Sequence, residues 1–286
     1  WSFGDCDIST LQNPSHAYTS AGTYQVQLKV TDDLGAATTV TRTVAVRAPG
    51  DAPTDAYGSS VVDSQPLLYW RLNETAGVDA RDVTANVNDG IFHGTYQQGV
   101  QSPVAGADRA LGLSATNGYV TSKDSFNNPT TFSLEAWFKS DTGRGRIIGF
   151  GNSADSSSTN YDRHVYLDNG DIVFGTWSDG MHTVATSGTN YGDGQWHHVV
   201  VTFGNNGMLL YVDGAVVAGS TDHAAQDYQG YWRVGDDQYW GEGSFSGAID
   251  EAAVYGTVLT PAQVAAHHAA STVGNIAPTA DFTVDC

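Results

Sequence analysis

The first fifty residues alternate between apolar and polar positions in a way that predicts a β-hairpin. Apolar side chains occupy every second position from Tyr24 to Val30, in "YQVQLKV", as expected for a half-buried strand. The turn sequence "DDLG" follows, and Val40, Val44 and Val46 mark a second strand. We expect these two strands to pair directly.

Short apolar runs separated by tight-turn dipeptides dominate the chain from about Tyr57 to Thr272. The clearest turn signals are Asn169-Gly170, Asp179-Gly180 and Asp213-Gly214, each between two apolar stretches. Such pairs suit two-residue hairpins because both residues tolerate a positive φ. This region is therefore predicted to consist of many β-strands.

A single helix is predicted, at "TPAQVAAHHAAS" near the end of the chain. Thr260 is expected to be the N-cap, Pro261 the first helical residue and Gln263 the partner of Thr260 in a capping box. The resulting fold class is an all-β sandwich with one late short helix.

Composition narrows the range of functions. The chain has 286 residues and is 40% hydrophobic, which is enough to bury a substantial core. Its net charge is −19, only four of its 31 acids are Glu, and it has three lysines. Because so few cations could neutralise phosphates, a nucleic-acid or anionic-membrane partner is not expected. No apolar run is long enough for membrane insertion.

Both ends of the chain resemble parts of one kind of domain. The stretches "WSFGD" and "HAYTSAGTYQVQLKVTDDLGAATT" resemble the C-terminal part of a PKD (polycystic kidney disease) domain, an immunoglobulin-like β-sandwich. Cys6 stands where that family commonly has glycine. The last stretch, "NIAPTADFTVDC", resembles the first strand of another PKD domain.

The middle of the chain resembles the laminin G-like, concanavalin A-like jelly roll of bacterial secreted and surface proteins. The resemblance implies a jelly-roll sandwich with one short C-terminal helix, preceded by a partial PKD sandwich. The predicted domains are a partial PKD domain at 1–48, a linker at 49–56, the jelly roll at 57–272 and a PKD strand at 275–286. The matching stretches, in family order, are "LLYWRLNETAG", "DVTANVNDGIFHG", "ALGLSATNGYV", "FSLEAWFKS", "QWHHVVVTFGNNGMLLYVDGAVV" and "FSGAIDEAAVYGTVLTPAQVAAHH".

No catalytic constellation is apparent in the sequence. Retaining glycosidases of this architecture carry E-x-D-x-E on one strand, which places the acids on one face, and no such run occurs here. The adjacent acids Asp250 and Glu251 are expected to point to opposite faces. The same argument separates His197 from His198, which we interpret as structural. We therefore predict that the chain is not an enzyme.

Calcium is the cofactor that the acids favour, as a structural ion. Ca²⁺ takes six to eight oxygen ligands from carboxylates, amides and carbonyls on loops. In "DARDVTANVNDG" the candidate ligands are Asp79, Asp82, Asn86 and Asp89. Asp250 joins them because the family resemblance implies a calcium ligand at that position.

The segment 221–244 is the candidate ligand-binding loop, because it interleaves aromatic rings with acids. Rings stack on sugar C–H groups while carboxylates bond hydroxyls, a mixture typical of glycan sites. Alternation along "YWRV" is expected to bury either Tyr231 or Trp232. Trp70, Trp137 and Trp196 are expected in the core. The candidate residues are Tyr228, Tyr231, Trp232, Asp236, Asp237, Tyr239 and Trp240.

The sequence thus predicts an extracellular or cell-surface adhesion module that binds carbohydrate or a glycosylated surface, with PKD domains as spacers. One alternative is a structural repeat of a stalk or filament. Its copies would assemble through the terminal PKD strands, with Cys6 and Cys286 close enough for a disulfide. Another alternative is an accessory region of a secreted polysaccharide-degrading enzyme.

Overall fold

A computed structural model describes residues 1–46, 50, 52–106, 108–236 and 244–272 of the chain. The described residues form two compact units, one before residue 47 and one from residue 50 onward. Each unit is described by itself below.

The N-terminal unit is built on the predicted hairpin. Strands β1 (Gly22–Thr31) and β2 (Ala37–Val46) pair antiparallel, with Tyr24 opposite Val44 and Leu28 opposite Val40. Ser2 bridges to Gln27, and the Tyr18 hydroxyl donates to the Phe3 carbonyl at 2.9 Å, which holds the N-terminal segment beside β1. The alternation of apolar residues therefore predicted this hairpin correctly.

Cys6 adopts a backbone conformation that explains why the PKD family commonly has glycine at its position. Its φ is 81°, in the left-handed region that a side chain disfavours. The nearby Gly4, with φ 87°, shows the same need, since a Cβ there would lie 2.8 Å from the Gln25 nitrogen. Cys6 is an exposed free thiol. Cys286 and the predicted PKD strand at 275–286 lie outside the described residues.

The second unit contains two helices and seventeen strands among its described residues. The helices are α1 (Ala56–Asp63) and α2 (Pro261–Ala270). Neither is long enough to cross a membrane. In chain order the strands are β3 (Leu68–Trp70), β4 (Asp79–Ala80), β5 (Gly90–His93), β6 (Tyr96–Gln101), β7 (Arg109–Ser114), β8 (Tyr119–Ser122), β9 (Phe126–Asn127), β10 (Phe132–Lys139), β11 (Gly145–Gly151), β12 (Tyr161–Asp168), β13 (Asp171–Trp177), β14 (Met181–Ala185), β15 (Trp196–Gly204), β16 (Gly207–Val212), β17 (Ala215–Ser220), β18 (Gln229–Gly235) and β19 (Ser246–Tyr255).

Two antiparallel sheets form the sandwich. The first sheet has the order β17-β16-β15-β10-β19-β7-β6, with β3 also paired to β19. The second has the order β14-β13-β12-β11-β18-β8-β5-β4, with β9 also paired to β18. Between them lies the main core, in which Trp70, Phe132, Phe174 and Trp232 are buried. Burial of these inner faces is the main stabilising contribution to such a sandwich. The predicted jelly-roll sandwich is confirmed.

The outer face of the first sheet carries a second, smaller core. The two helices cover it, with Tyr57 and Val61 from α1 and Val264 from α2 fully buried. On the sheet side, Trp137 and Tyr255 complete the cluster. Outward-facing residues are spaced two apart along each strand. The helices cover one half of this outer face, and the other half is open.

The predicted turns and the predicted helix start are largely confirmed. Asn169-Gly170 and Asp213-Gly214 both have positive φ at each residue and connect adjacent strands. The third turn differs, because residues 178–180 form a three-residue connection in which Asp179 alone has a left-handed φ. Thr260 caps α2 in the predicted capping box with Gln263.

Helix α1 was not predicted, and it begins at the end of the predicted linker 49–56. Its sequence "AYGSSVVD" has poor helix formers, which explains why propensity gave no signal. Two interactions compensate. The Asp55 side chain accepts a bond from the Gly58 nitrogen at 2.7 Å, and Tyr57 is fully buried against the first sheet.

Glu135 is the buried carboxylate that fixes both helices to the first sheet. Tyr57 on α1 and Tyr255 on β19 donate hydroxyl bonds of 2.9 and 2.6 Å to it. His198 lies 2.8 Å and His267 3.0 Å from its oxygens. These bonds outweigh burial and lower the pKa of Glu135, while the same carboxylate raises the pKa of His267.

We predict that Glu135→Gln destabilises the second unit by about 3 kcal/mol, because it leaves buried partners of a charge unpaired. The lowered pKa of Glu135 contributes stability that is lost as pH falls below about 4.3. The raised pKa of His267 contributes stability that is present below about pH 6.5 and lost as pH rises through its folded value. The free energy of unfolding of the parent, measured with urea across pH, should therefore fall both at acid pH and at alkaline pH. His267→Gln should reduce the loss of stability with rising pH, to which His182 and His197 also contribute through their raised pKa values. It should also weaken the acid loss, because His267 helps to lower the pKa of Glu135. No change in the alkaline loss of that variant would contradict the assignment.

Candidate functional site

The predicted ligand loop contributes two of its rings to the core. Trp232 on β18 is fully buried and packs against Phe150 and Phe132. Tyr228 is 9% exposed, and its hydroxyl donates to the Asp162 carboxylate at 2.9 Å. The prediction that these two rings bind a sugar is corrected, because neither has a free face. Alternation along β18 is the physical reason.

Two further predicted ligand residues, Tyr231 and Asp236, lie outside the main core. Tyr231 is half-buried and points to the outer face of the second sheet, opposite Gly151. Asp236 follows β18 and is buried, with its backbone carbonyl bonded to Arg146 at 2.8 Å. The remaining predicted ligand residues, Asp237, Tyr239 and Trp240, lie outside the described residues. Their role in ligand binding stays a prediction.

The predicted calcium ligands in 79–89 do not converge on one point. The Asp82 carboxylate is buried and accepts four bonds, from the nitrogens of Tyr69, Thr84 and Asn88 and from the Thr84 hydroxyl. A carboxylate with its lone pairs filled by such donors shapes a turn and has little capacity left for an ion.

The other members of this loop also have protein partners. Asp79 forms an ion pair with Lys123 at 2.9 Å, and the Asp89 carboxylate accepts from the Asp82 nitrogen at 3.0 Å. The Asn86 amide donates to the Leu67 carbonyl at 3.1 Å. The loop is thus held by its own hydrogen bonds, which is the behaviour of turn-forming Asp and Asn residues.

Asp250 belongs to a different group of acids, created by a β-bulge. Between Glu135 and Trp137 of β10 the pairing with β19 slips by one residue, and Glu251 has a left-handed φ of 53°. The bulge breaks strict alternation, so Asp250 and Glu251 both reach the outer side of the sheet. The expectation that these neighbours point to opposite faces was wrong. Asp108, just before β7, completes the cluster, with one oxygen from each acid within 4.8 Å of the others.

Arg71 is the cation beside this acid cluster. Its guanidinium lies 2.8 Å from Glu251, 3.1 Å from Asp108 and 2.8 Å from Asp55. Burial, followed by the charges of Glu251 and Asp108, raises the pKa of Asp250 well above its ordinary value. Burial also raises the pKa of Glu251, and the Tyr69 hydroxyl donates to that carboxylate. Three carboxylates therefore pair with one guanidinium, and Asp250 lies next to them.

The cluster fits a hard divalent cation by its donor set. One oxygen of Asp250, which is fully buried, and one oxygen of Asp108 have no hydrogen-bond partner. Buried carboxylate oxygens without partners are costly unless a proton or a metal ion satisfies them. Asp108, Asp250 and Glu251 could hold calcium, which prefers carboxylate oxygens. Sequence reasoning found Asp250 and missed Asp108, since nothing in its neighbourhood signalled proximity to β19.

An open groove crosses the uncovered half of the first sheet's outer face. It consists of two adjoining cavities of about 480 and 330 Å³, both bordered by Val100, Gly247 and Ala248. These volumes fall in the range of small-molecule sites. The residues that line it include Gln97, Gln101, Lys139, Asp141 and Trp196.

The strand register explains the shape of this groove. Trp196 lies opposite Lys139, Lys139 opposite Ala248, Ala248 opposite Gly112 and Gly112 opposite Gln97. These five residues form one row across five strands, about 19 Å long at the usual strand spacing. Glycine and alanine at the centre form a low floor, with larger side chains at both ends. Trp196, expected in the core, is half-buried at one end.

The buried acids of this face do not have a geometry suited to glycoside hydrolysis. Glu135 is enclosed by two tyrosines and two histidines, and Asp250 and Glu251 have no exposed surface. A catalytic carboxylate must reach the glycosidic bond, which sealed groups do not. His197, bonded to Asp213 at 2.9 Å, and His198 have structural partners, as predicted.

Profile comparison places this architecture in a known group. A profile for the concanavalin A-like lectin/glucanases superfamily matches residues 114–265, more than half of the chain, and a PKD profile matches residues 1–48. The chain belongs to the concanavalin A-like lectin/glucanases superfamily. The jelly roll and the preceding PKD domain agree with both resemblances seen in the sequence. Domains of these two kinds are typical of extracellular proteins.

Individual relatives are more distant. The binding domain of botulinum neurotoxin serotype D has a TM-score of 0.52 and 14% identity over 72% of this chain and 52% of that chain. Domain 4 of an extracellular arabinanase from Geobacillus stearothermophilus, in complex with arabinotriose, has a TM-score of 0.48 and 17% identity, covering 71% of this chain and 98% of that one. A microbial collagenase of Vibrio alginolyticus is 46% identical over 54 residues, 19% of this chain and 7% of the collagenase.

These relatives say more about fold than about activity. The chain spans about half of the neurotoxin chain and a small part of the collagenase. At 14% identity the likeness to the neurotoxin domain concerns the fold alone. The superfamily assignment therefore establishes the sandwich fold. The ligand depends on this chain's own residues.

We predict that Trp232→Ala destabilises the second unit by about 3–5 kcal/mol, because it empties a fully buried site in the main core. Tyr231→Ala, on the neighbouring half-buried position, should cost less than about half of that. Chemical denaturation of both variants measures the difference. Equal destabilisation by the two substitutions would contradict the inward orientation of Trp232.

Proposed function

We propose that the second unit is a non-catalytic module that binds an uncharged, extended glycan in the groove bordered by Trp196, Lys139 and Gln97. The observation that carries this proposal is the row of five residues across the first sheet, with a ring at one end and an amide at the other. Superfamily membership supports the proposal, since the group includes lectins.

Trp196 supplies the stacking surface of the proposed site. Its indole is half-buried, so one part packs on the sheet while another part borders the groove. Sugar rings present C–H groups on their faces, and an aromatic ring held at such a position stacks on them. A ring fixed by packing loses little conformational entropy when it binds.

Polar side chains around the floor supply hydrogen bonds to hydroxyl groups. Gln97 and Gln101 carry amides that both donate and accept, and Asp141 accepts. Lys139 balances the charge of Asp141, so the lining has no excess of either sign. A ligand rich in hydroxyls and without charge fits this lining best.

Calcium is proposed as a structural ion at the cluster of Asp108, Asp250 and Glu251. Support comes from the two partnerless carboxylate oxygens and from the excess of acids over Arg71. When bound, a divalent ion would neutralise charge that is otherwise buried at high cost. The residues of 79–89 are not included, because their oxygens have protein partners.

The setting of the module is proposed to be extracellular, with adhesion to a glycosylated surface as its use. The PKD unit would serve as a spacer. Assembly of copies through terminal PKD strands stays a prediction, as does membership of a longer polysaccharide-degrading enzyme.

Trp196→Ala is predicted to weaken glycan binding at least about tenfold, because loss of a stacked ring costs about 1.5 kcal/mol. A glycan array in calcium buffer identifies the ligand, and titration calorimetry gives the affinity. The control is Trp177→Ala, which removes a 44% exposed ring from the second sheet and should leave affinity unchanged. Retained binding in the Trp196 variant would exclude the groove as the binding site. An array on which no glycan binds would exclude a glycan as the ligand.

Calcium is predicted to raise the melting temperature of the parent chain, with a stabilisation of about 2.7 kcal/mol at a hundredfold excess over Kd. Asp250→Asn should abolish this shift, because it removes a charged oxygen from the cluster. Asp79→Asn, the matched control, should retain the calcium-induced shift, since Asp79 lies in the 79–89 loop and pairs with Lys123. A shift that survives in the first variant and vanishes in the second would contradict the assignment.

A further inference from the structure

A serine, a histidine and a glutamate form a hydrogen-bonded chain where the two helices meet. Ser64 directly follows α1, and its Oγ lies 2.9 Å from Nε2 of His267 on α2. The other ring nitrogen of His267, Nδ1, lies 3.0 Å from one Glu135 oxygen and 3.2 Å from the other. A hydroxyl, an imidazole and a carboxylate in this order activate the nucleophile of hydrolases on several unrelated folds.

The partners of Glu135 determine which nitrogen of His267 carries the proton. Tyr57 and Tyr255 donate hydroxyl bonds to Glu135, and the lowered pKa of this carboxyl keeps it ionised. Because a carboxylate only accepts, a neutral imidazole donates its one proton to it from Nδ1. The lone pair of Nε2 is then left to accept the proton of the Ser64 hydroxyl. This is the tautomer that a general base requires.

The imidazolium that forms when His267 takes a proton is stabilised from two sides. Burial lowers the pKa of His267, but the hydrogen bond and charge of Glu135 and a bond to the Ser60 backbone raise it overall. Ser60 lies in the C-terminal half of α1, where helix carbonyls favour a neighbouring cation. The titratable groups packed around this pair come from every neighbouring element and include Tyr57, His198, Tyr255 and His268.

The hydroxyl of this chain of bonds lies nearer to solvent than the base behind it. Ser64 is half-buried and Gln65 is exposed, whereas His267 is 2% exposed and Glu135 has no exposed surface. Gln65 has a left-handed φ of 55°, which turns the backbone directly after Ser64. A small molecule can therefore approach Ser64 while the imidazole and the carboxylate stay shielded from water, where their interaction is strongest.

Gln263 on α2 provides a hydrogen-bond donor beside the hydroxyl. Its Nε2 lies 3.2 Å from the Oγ of Ser64, while its Oε1 accepts from the Thr260 nitrogen in the capping box. The capping box thus fixes which end of the amide faces Ser64. Since the amide nitrogen has two protons, one can bond Oγ while the other donates to an incoming carbonyl oxygen. Glutamine side chains serve in this way in oxyanion holes.

We propose that Ser64 is an activated nucleophile that takes the acyl group of a small carboxylic ester, with His267 as general base and Glu135 as its positioning residue. Oγ bonds to the carbonyl carbon while its proton moves to Nε2. The bond from that carbon to the leaving oxygen then breaks, and the proton passes to the departing alcohol. The products are an acylated Ser64 and an alcohol. The glycan groove takes no part, so this chemistry goes beyond the proposed function.

Acetyl transfer from 4-nitrophenyl acetate to the full chain tests the proposal. The parent should release 4-nitrophenolate, and peptide mass spectrometry should find an acetyl group on Ser64. Ser64→Ala should abolish this release. Ser59→Ala, which removes an exposed hydroxyl of α1, is the matched control and should retain it. Release from Ser64→Ala that equals release from the parent would overturn the proposal.

The pH dependence of acylation tests the role of His267. Only neutral imidazole accepts a proton, so the rate should rise with pH around a midpoint above about 6.5, the ordinary pKa that His267 exceeds. His267→Gln should slow acylation at least about a hundredfold, the usual contribution of a general base. Near-ultraviolet circular dichroism checks that the variant is folded at the assay temperature. A folded His267→Gln chain that reacts as fast as the parent would overturn the proposal.

A thiol in place of the hydroxyl gives a readout that does not depend on an ester. In Ser64→Cys, pairing with His267 should bring the pKa of the introduced thiol below the ordinary value of about 8.5. Iodoacetamide alkylation across pH, resolved by peptide mass spectrometry, measures this pKa, with the exposed Cys6 as the reference thiol. Adding Glu135→Gln should raise the thiol pKa again, because the imidazolium loses its partner. An introduced thiol with an ordinary pKa would overturn the role of His267 and with it the proposal.

Discussion

One β-bulge in β19 determines how the outer side of the first sheet is divided. The left-handed φ of Glu251 inserts an extra residue, so outward positions run 248 and 250 before it and 253 and 255 after it. Without that residue, Asp250 and Tyr255 could not both face outward, because alternation would place them on opposite sides. The bulge therefore sets the acid cluster between the open groove and the helix-covered core.

The two buried carboxylate sites on this face behave differently because their partners differ. Glu135 accepts hydrogen bonds from two tyrosine hydroxyls and contacts two imidazoles, and these interactions stabilise its charge and lower its pKa. Asp250 lies among acids, and burial, followed by the charges of Glu251 and Asp108, raises its pKa despite the hydrogen bond from the Ser102 hydroxyl. The first site is complete as it stands and fixes the helices. The second has only the Arg71 guanidinium for several acids, and for that reason it is the one suited to a metal ion.

Features encoded by neighbouring residues were predictable from the sequence. Asn169-Gly170 and Asp213-Gly214 form turns because their own backbone preferences suffice, and Thr260 with Gln263 caps α2 over three residues. Features that depend on distant partners were not predictable. Helix α1 forms against its propensity because Tyr57 reaches Glu135, 78 residues away, and Asp108 joins acids more than 140 residues later.

The same distinction explains the candidate site. The many aromatic and acidic residues of 221–244 predicted a ligand site there. Their number does not indicate which face of β18 a ring occupies, and Trp232 is in the core. The groove, in contrast, exists because the residues at its centre are small. Gly112 and Ala248 become a floor only once β7 and β19 are adjacent in register, which a single sequence does not show.

Charge then distinguishes the ligands of the two proposed sites. The chain carries a net charge of −19, so its long-range field repels anions, and Lys139 is balanced by Asp141 at the groove. An acidic polysaccharide would gain one lysine and face the repulsion of the whole chain. A neutral glycan avoids that repulsion, and its stacking and hydroxyl bonds are insensitive to salt. The acid cluster, with partnerless oxygens in a buried environment, selects the opposite chemistry and favours a cation. The negative charge that argues against an acidic ligand in the groove therefore supports metal binding a few residues away.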